Sequence, residues 1–255
     1  DFQNRSFRPE IDWVGMGLAY LVRGHLGELD GVEVLPDRKQ MSNGSGPRPD
    51  WTVTGEVRES GTKLMVTVSV DHQGMPEDRK QLLTEGDERD LFAMAEYIAE
   101  RISHHLRLEF TASDRVRLDH GMTRDIGAFK AFAAALTERR LRTKVELYQR
   151  AVSLDPSFAI VYRHLSRIYT IMREYRAAES ALVRFLSLES GSAEAYNDYA
   201  YVLAQLGRHQ EAGEQYRLAV EMDPMSARYR LNLADTLRHQ ERREEARQAY
   251  RDVLA

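Results

Sequence analysis

The sequence predicts an α+β fold, in which a small, sandwich-like α/β domain with a mixed sheet and two covering helices precedes an α-solenoid of about four helical hairpins. Two observations support this prediction. The second half of the chain repeats itself at a period of 34 residues, which is typical of stacked helical hairpins. The first half combines β-branched runs that alternate every second residue with apolar stripes at helical spacing.

These patterns divide the chain into an α/β domain at residues 1–110, a linker at residues 111–124 and repeats at residues 125–255. The linker is assigned from its polar character. The successive repeats are residues 125–158, 159–192, 193–226 and 227–255.

The first domain begins with the tail of a strand and a polar loop at residues 1–12. Residues 13–29 carry apolar side chains on one broad helical face, with Asp12 as the expected N-cap. Glycines within this helix indicate close packing against a sheet. Residues 32–35 predict a short strand, and residues 41–50 predict a loop, because Gly, Pro and Ser cluster there.

A β-hairpin is predicted at residues 51–58 and 63–70, because two β-branched runs flank a short segment containing glycine. In the second run apolar and polar side chains alternate, which places one face on a core. Residues 80–84 predict a third strand. Residues 91–108 predict a helix whose apolar stripe covers the sheet.

The repeats place small side chains where two helices approach closely and bulky ones between them. Position 8 of the repeat holds Ser166, Ala200 and Ala234, position 20 holds Ala178, Ala212 and Ala246, and the bulky position 24 holds Tyr148, Leu182, Tyr216 and Tyr250. Gly207 lies in the turn between paired helices. This pattern of small and bulky positions resembles the pattern of the tetratricopeptide repeat family. The first repeat departs from it, with Phe132 at position 8 and Lys144 at position 20, which predicts looser or shifted packing.

The first domain has a resemblance of its own. Its element order and the segments FQNRS, VTGEVRESGTKLMVTVSVD and DLFAMAEYIAERI resemble the TolB amino-terminal-like α/β domain. In that family the domain commonly precedes tetratricopeptide arrays in membrane-anchored regulators, so the resemblance implies an extracytoplasmic or membrane-associated setting. The family's first strand starts several residues before Phe2, which predicts an incomplete or exposed sheet edge.

The amino-acid composition argues against several classes of protein function. The chain has 36 basic and 40 acidic side chains, a net charge of -4 and a pI near 6.1, a balance that does not favour nucleic-acid binding. It has no cysteine, which excludes disulfides, thiol catalysis and thiolate metal sites. No run of apolar residues is long enough to predict membrane insertion. Because the sequence begins at Asp1, we expect it to be a piece of a longer chain.

The sequence predicts no catalytic, metal or cofactor site. His104 and His105 are adjacent in a helix and point about 100° apart, so they do not chelate one ion as an i, i+4 pair does. Asp114, Asp119 and His120 in the linker match no known metal-site spacing. The Gly15-Met16-Gly17 segment lacks the remaining features of a dinucleotide site. We therefore predict a non-catalytic protein.

In the tetratricopeptide family the first helix of each hairpin lines a concave groove that binds peptides. The resemblance therefore implies partner-binding residues at the groove positions of the last three repeats. The candidates are Arg163, Arg167, Asn197, Tyr201, Arg228, Asn232 and Arg238, with Thr170, Glu194, Asp198, Gln205, Asp235 and His239 on the same positions. A carboxylate clamp for a peptide terminus is matched only in part, since Asp198 stands where asparagine is usual and Asn232 where a basic residue is usual.

The arginines leave two interpretations open. Guanidinium groups spaced one helical turn apart suit an acidic peptide segment, because they form bidentate bonds and stack. Alternatively, they are solvated or paired with Glu194, Asp198 and Asp235 across the groove.

We predict a protein-interaction or scaffold module, part of a larger membrane-associated assembly or regulator. Self-association through the last helix, at Tyr250 and Leu254, is a further prediction. The alternative function is pH or small-ligand sensing, for which His104, His105, His120 and His164 are the candidate titrating groups.

Overall fold

The structure, a computed structural model, describes residues 2–6, 8–27, 29, 32–35, 49–108 and 122–254. It divides into two compact units, residues 1–139 and residues 140–255. The first unit combines a mixed sheet with helices, whereas the described part of the second unit consists of helices and turns. The α+β prediction is confirmed at this level.

The sheet of the first unit has its strands in sequence order within the described residues. They are β1 (Phe2–Asn4), β2 (Trp51–Ser60), β3 (Lys63–His72) and β4 (Met75–Gly86). β1 runs parallel to β2, while β2, β3 and β4 pair antiparallel. Gly61 and Gly74 lie in the two hairpin turns with φ angles of 66° and 94°, a backbone region that glycine enters at little cost.

One predicted strand is wrong. Residues 32–35 form no strand in the described backbone. The amide of Val32 instead donates to the carbonyl of Leu29 at 3.2 Å, so a local turn takes the donor that a sheet would need. The strands β2, β3 and β4 are longer than predicted, and β4 already begins at Met75. Most of the predicted loop at 41–50 and of the linker at 111–124 lies outside the described residues.

Two helices cover the sheet as predicted, α1 (Asp12–Gly27) and α2 (Leu91–His105). α1 contacts β1 and β2, and α2 contacts β4. Their apolar stripes and the inward side chains of the strands are buried together. The fully buried members include Val14, Leu18, Val57, Val66, Val68, Leu91, Ile98 and Ile102. Asp12 is the first residue of α1 and not its N-cap, and its carboxylate accepts a hydrogen bond from the side-chain amide of Asn4 at 2.7 Å.

A third helix, α3 (Ile126–Thr137), also packs against α1 in the first unit. The ring of Phe132 meets that of Tyr20 edge-on, with centroids 4.9 Å apart, and Phe129 meets Phe92 in the same way at 5.2 Å. Both phenylalanines of α3 are fully buried. The assignment of residues 125–158 as the first repeat stays a prediction, and Phe132 at position 8 of that repeat packs against Tyr20 of α1.

The second unit follows the 34-residue period. Its helices are α4 (Leu141–Leu154), α5 (Ala159–Ile171), α6 (Tyr175–Leu188), α7 (Ala193–Gln205), α8 (His209–Met222), α9 (Ala227–His239) and α10 (Arg243–Leu254). The first helices of the hairpins begin at 159, 193 and 227, and the second helices begin at 175, 209 and 243. Each first helix packs against its second helix, and each second helix against the next hairpin.

Small residues mark the close contacts, as predicted from the register. Those at positions 8 and 20 of the last three repeats are all buried, namely Ser166, Ala178, Ala200, Ala212, Ala234 and Ala246. Larger side chains such as Leu182, Leu203 and Tyr216 fill the spaces between them. Buried side chains thus form clusters within and between successive hairpins.

Candidate functional site

Among the three first helices, α5 contacts α7, and α7 contacts α9, through polar side chains. We call the surface formed by the groove positions of these helices the first-helix face. All seven predicted partner-binding residues lie on it: Arg163, Arg167, Asn197, Tyr201, Arg228, Asn232 and Arg238. Their role in binding stays a prediction, but their placement on consecutive helices agrees with the register.

Arg163 and Arg167 on α5 converge on one carboxylate of α7. The guanidinium group of Arg163 forms an ion pair with Glu194. That of Arg167 donates to the other oxygen of Glu194 at 2.7 Å and lies 3.8 Å from Asp198. The sequence left open whether these arginines are free to bind an acidic peptide or are paired with carboxylates of the chain itself. For Arg163 and Arg167 the structure shows pairing with carboxylates across the face. Glu194 thus occupies the position in which these arginines would hold a carboxylate of a partner.

The two asparagines join α7 to α9. Asn232 donates from its side-chain amide to the Oδ1 of Asn197 at 2.8 Å. Asn197 is 5% exposed. The amide pair therefore stabilises the packing of successive hairpins, since a buried amide without a partner would be costly.

Arg228 differs from the other arginines of the face. It is exposed, lies over the ring of Tyr229 at 5.0 Å and donates to the Tyr229 hydroxyl at 3.3 Å. Within the described ranges no carboxylate lies within ion-pair distance of Arg228. Arg238 is also exposed, and its guanidinium nitrogen lies 4.0 Å from Asp235. Among the four candidate arginines of the face, the two on α9 therefore have the weaker ion pairing within the described residues.

Tyrosines at repeat position 24 reach the same face from the second helices. The hydroxyl of Tyr148 lies 3.3 Å from Nδ1 of His164, and that of Tyr250 donates to Asp235 at 2.5 Å. Burial raises the pKa of Tyr216, with further contributions from neighbouring Tyr201, Asp198 and Asp235. From the sequence, position 24 was interpreted only as a packing position. Tyrosine recurs there, however, and its hydroxyl group usually finds a hydrogen-bond partner when it is buried.

His164 on α5 does not titrate near neutral pH. Its burial, followed by the charges of Arg167, Arg163 and Lys144, lowers its pKa from 6.5 to about 4. The sensing alternative needs histidines that change charge at physiological pH. His164 does not meet this need, and His120 lies outside the described residues.

Three of the remaining sequence candidates, Gly15, Gly17 and His105, have packing roles. A Cβ at Gly15 would lie 2.6 Å from the carbonyl oxygen of Phe2, and one at Gly17 would lie 2.7 Å from the ring of Phe129. These glycines allow α1 to approach β1 and α3. His105 packs edge-on against Trp51, with centroids 5.4 Å apart.

In the part of the chain that the structure describes, no group of three or more metal-binding side chains occurs. The described helices include none with the length and apolar character required to cross a bilayer.

A family model of the tetratricopeptide repeat matches residues 172–224 and 214–255. This match confirms tetratricopeptide repeats in this part of the chain. The resemblance of residues 1–110 to the TolB amino-terminal-like domain stays a prediction. None of the curated protein sequences matches the chain.

Several solved structures are similar to this chain. The crystal structure of MamA protein has 21% identity and a TM-score of 0.48, over 56% of this chain and 76% of that chain. YrrB, described as a tetratricopeptide repeat protein with an unusual peptide-binding site, has 19% identity and a TM-score of 0.48, over 65% and 83%. The first tetratricopeptide domain of Spaghetti (RPAP3), bound to the HSP90 peptide SRMEEVD, has 15% identity and a TM-score of 0.43, over 45% and 94%. At this level the likeness concerns the repeat fold and not the ligand.

Proposed function

We propose that this chain is a non-catalytic protein-interaction module whose first-helix face binds a peptide segment of a partner protein. Tetratricopeptide repeats are interaction modules, and solenoids of this kind bind partners on extended concave surfaces. The observation that carries the proposal is the row of polar and aromatic side chains that α5, α7 and α9 present outside the core, among them the exposed Tyr201 and Arg228.

We further propose that the bound segment contains an acidic residue that contacts Arg228. Arg228 is exposed and stacked on Tyr229, which orients its guanidinium group for a bidentate bond to a carboxylate. Arg163 and Arg167 bind an acidic partner only if Glu194 moves away, because they already share that carboxylate. An acidic segment therefore binds first at α9.

The proposal extends to a scaffold role in a membrane-associated, extracytoplasmic assembly. This part rests on the TolB-like resemblance of the first domain, and fractionation of the source cells tests it.

Self-association through Tyr250 is tested by sedimentation across a range of concentrations. The hydroxyl of Tyr250 is engaged by Asp235, and the side chain of Leu254 lies outside the described residues. The alternative of pH or small-ligand sensing stays a prediction from the sequence.

The experiment is a pull-down from the source cells with the full chain as bait, quantified by mass spectrometry. The bait is compared with Arg228→Glu alone and with the triple reversal Arg163→Glu, Arg167→Glu and Arg228→Glu. The matched control is Arg176→Glu, which changes an exposed arginine of α6, outside the first-helix face. A partner that is recovered with the control and lost with Arg228→Glu supports the proposal. Equal recovery by all baits refutes it.

A further inference from the structure

One carboxylate of the first-helix face is held by two guanidinium groups. Arg163 forms an ion pair with one oxygen of Glu194, and Arg167 donates to the other oxygen at 2.7 Å. Both arginines lie on α5, whereas Glu194 lies on α7. Arginines bind a carboxylate of a ligand in the same way, through charge-assisted hydrogen bonds to both oxygens. Here the chain itself supplies the carboxylate.

The position of Glu194 in its own helix also favours a negative charge. Glu194 lies in the first turn of α7, after the N-cap Ser192. The helix dipole stabilises a carboxylate at this end of a helix. The backbone of α7 therefore places a carboxylate beside the arginines of the preceding repeat.

The next junction between hairpins lacks such a charged contact. Repeat position 2 holds Glu194 in one repeat and Arg228 in the following one, while position 5 holds first Arg163 and then Asn197. Between α7 and α9 the side-chain amides of Asn197 and Asn232 meet instead, at 2.8 Å. An uncharged pair thus joins these two repeats. The contact of two arginines with Glu194 is therefore a particular feature of the junction between α5 and α7 and not a requirement of the repeat fold.

The contact is open to exchange with a carboxylate from solution. The side chains of Arg167 and Glu194 are 46% and 37% exposed. Exposed ion pairs contribute little to stability, because water solvates both charges. The carboxylate of Asp198 lies 3.8 Å from Arg167 and is a second, weaker partner. A carboxylate of a ligand therefore competes with groups of the chain for these arginines.

We propose that Glu194 is an internal competitor that keeps acidic residues of a partner away from Arg163 and Arg167. This inference rests on the proposed peptide-binding function and specifies how the same face is regulated. While Glu194 occupies the two guanidinium groups, an acidic residue of the bound segment contacts Arg228 alone. A second acidic residue binds on α5 only by displacing Glu194. The side chain at position 194 therefore determines how many acidic residues the face selects.

The first test measures this competition with a small probe. N-acetyl-glutamate methylamide is titrated at low ionic strength into the full chain with labelled arginine side chains, beside N-acetyl-glutamine methylamide, which has a similar shape without charge. In Glu194→Gln we expect the glutamate probe to shift the resonances of Arg163 and Arg167 with an affinity about fivefold higher than in the unchanged chain. The glutamine probe should shift neither resonance.

The matched control is Glu245→Gln, which removes a carboxylate paired with an arginine outside the first-helix face. Glu245 accepts a hydrogen bond from Arg242 at 2.7 Å. This variant should leave the affinity at Arg163 and Arg167 unchanged. The double variant Glu194→Gln/Asp198→Asn also removes the weaker partner of Arg167, and its gain should be at least as large as that of Glu194→Gln. Thermal melts establish that each variant is folded.

The second test is the selection of random dodecapeptides on the full chain and on Glu194→Gln. We expect the peptides selected on Glu194→Gln to share one more acidic residue than those selected on the unchanged chain. A contact that only stabilises the fold would lower the melting temperature of Glu194→Gln without changing the selected peptides or the affinity of the probe.

The outcomes separate this inference from the proposed function. The inference is overturned if neither Glu194→Gln nor the double variant binds the glutamate probe more tightly, or if the control gains equally. Selected peptides with the same number of acidic residues on both chains also overturn it and leave the proposed function standing. Absence of selected peptides on both chains refutes the proposed function, whereas the probe titration still decides whether Glu194 blocks the two arginines.

Discussion

At the scale of single residues, two glycines determine how closely the first strand approaches its neighbours. A Cβ at Gly55 would lie 2.2 Å from the ring of Phe2, and one at Gly15 would lie 2.6 Å from its carbonyl oxygen. Phe2 itself is 7% exposed. The strand β1 therefore packs against β2 and α1 only because both positions lack a side chain.

The substitution Gly55→Ala is expected to lower the free energy of unfolding of the first unit by about 1–3 kcal/mol, because the Phe2 ring must leave its buried position. Urea unfolding followed by circular dichroism measures the change. Gly24→Ala is the matched control: nothing lies within 4 Å of a Cβ there, so this helix substitution should raise the free energy by about 0.5–1 kcal/mol. Equal stability of Gly55→Ala and the unchanged chain contradicts this packing.

His164 makes the stability of the second unit depend on pH. Its pKa is about 4 in the folded chain and 6.5 in the reference state. Between these values the unfolded chain binds more protons than the folded chain, so stability is complete above pH 6.5 and falls as the pH drops toward 4. The unchanged chain should lose on the order of 3 kcal/mol more than His164→Gln between pH 7 and pH 4. Urea unfolding at several pH values measures this difference, and equal pH dependence of both chains rules it out.

Sequence reasoning located the residues of the first-helix face but not their partners. The period assigns Arg163, Arg167 and Glu194 to one surface, because it fixes which way each helical position points. It does not determine which charges pair, since pairing depends on distances of a few ångströms between helices. The hydroxyl groups of Tyr148 and Tyr250 were missed for a similar reason: their repeat position is a packing position, and only the structure shows that these hydroxyl groups reach His164 and Asp235.

At the scale of the elements, the turns inside the three hairpins share one backbone conformation. Arg173, Gly207 and Glu241 stand 34 residues apart and have φ angles of 60°, 80° and 60°. Only the second of these positions has glycine. A side chain in this left-handed region costs roughly 1–2 kcal/mol. The flanking hairpins therefore contain local strain that the central hairpin does not.

Replacing Arg173 or Glu241 with glycine is expected to raise the free energy of unfolding of the second unit by about 0.5–1 kcal/mol, after allowance for the greater freedom of glycine in the unfolded chain. Gly207→Ala should change it by a similar amount in the opposite direction. Thermal and urea unfolding of the three variants measure the effect. A loss of stability in Arg173→Gly and Glu241→Gly would show that their side chains contribute more than the backbone costs.

Elements with strong periodicity were predicted well, and the exceptions have local causes. The helices of the last three repeats begin at the positions that the period requires. The segment at residues 32–35 was too short to distinguish a strand from a turn. The helix α3 fits the period of the repeats, but its buried Phe129 and Phe132 select contacts with α1. The contacts of α3 with α1 therefore reflect its own buried side chains, which the 34-residue period does not predict.

At the scale of the whole molecule, overall charge says little about the binding surface. The chain has a net charge of -4, yet the first-helix face carries groups of both signs, among them Arg228, Asp198 and Asp235. Such a surface selects partners by charge pattern. The account therefore depends on whether partners bind this face and not the surface of the second helices.

Photo-crosslinking in the source cells tests this most directly. A benzophenone amino acid replaces Tyr201 or Arg228 on the first-helix face, and Val183, which is 48% exposed on α6, in the control. The account predicts covalent adducts with the same partner from positions 201 and 228 and none from position 183. Adducts from position 183 alone would contradict it.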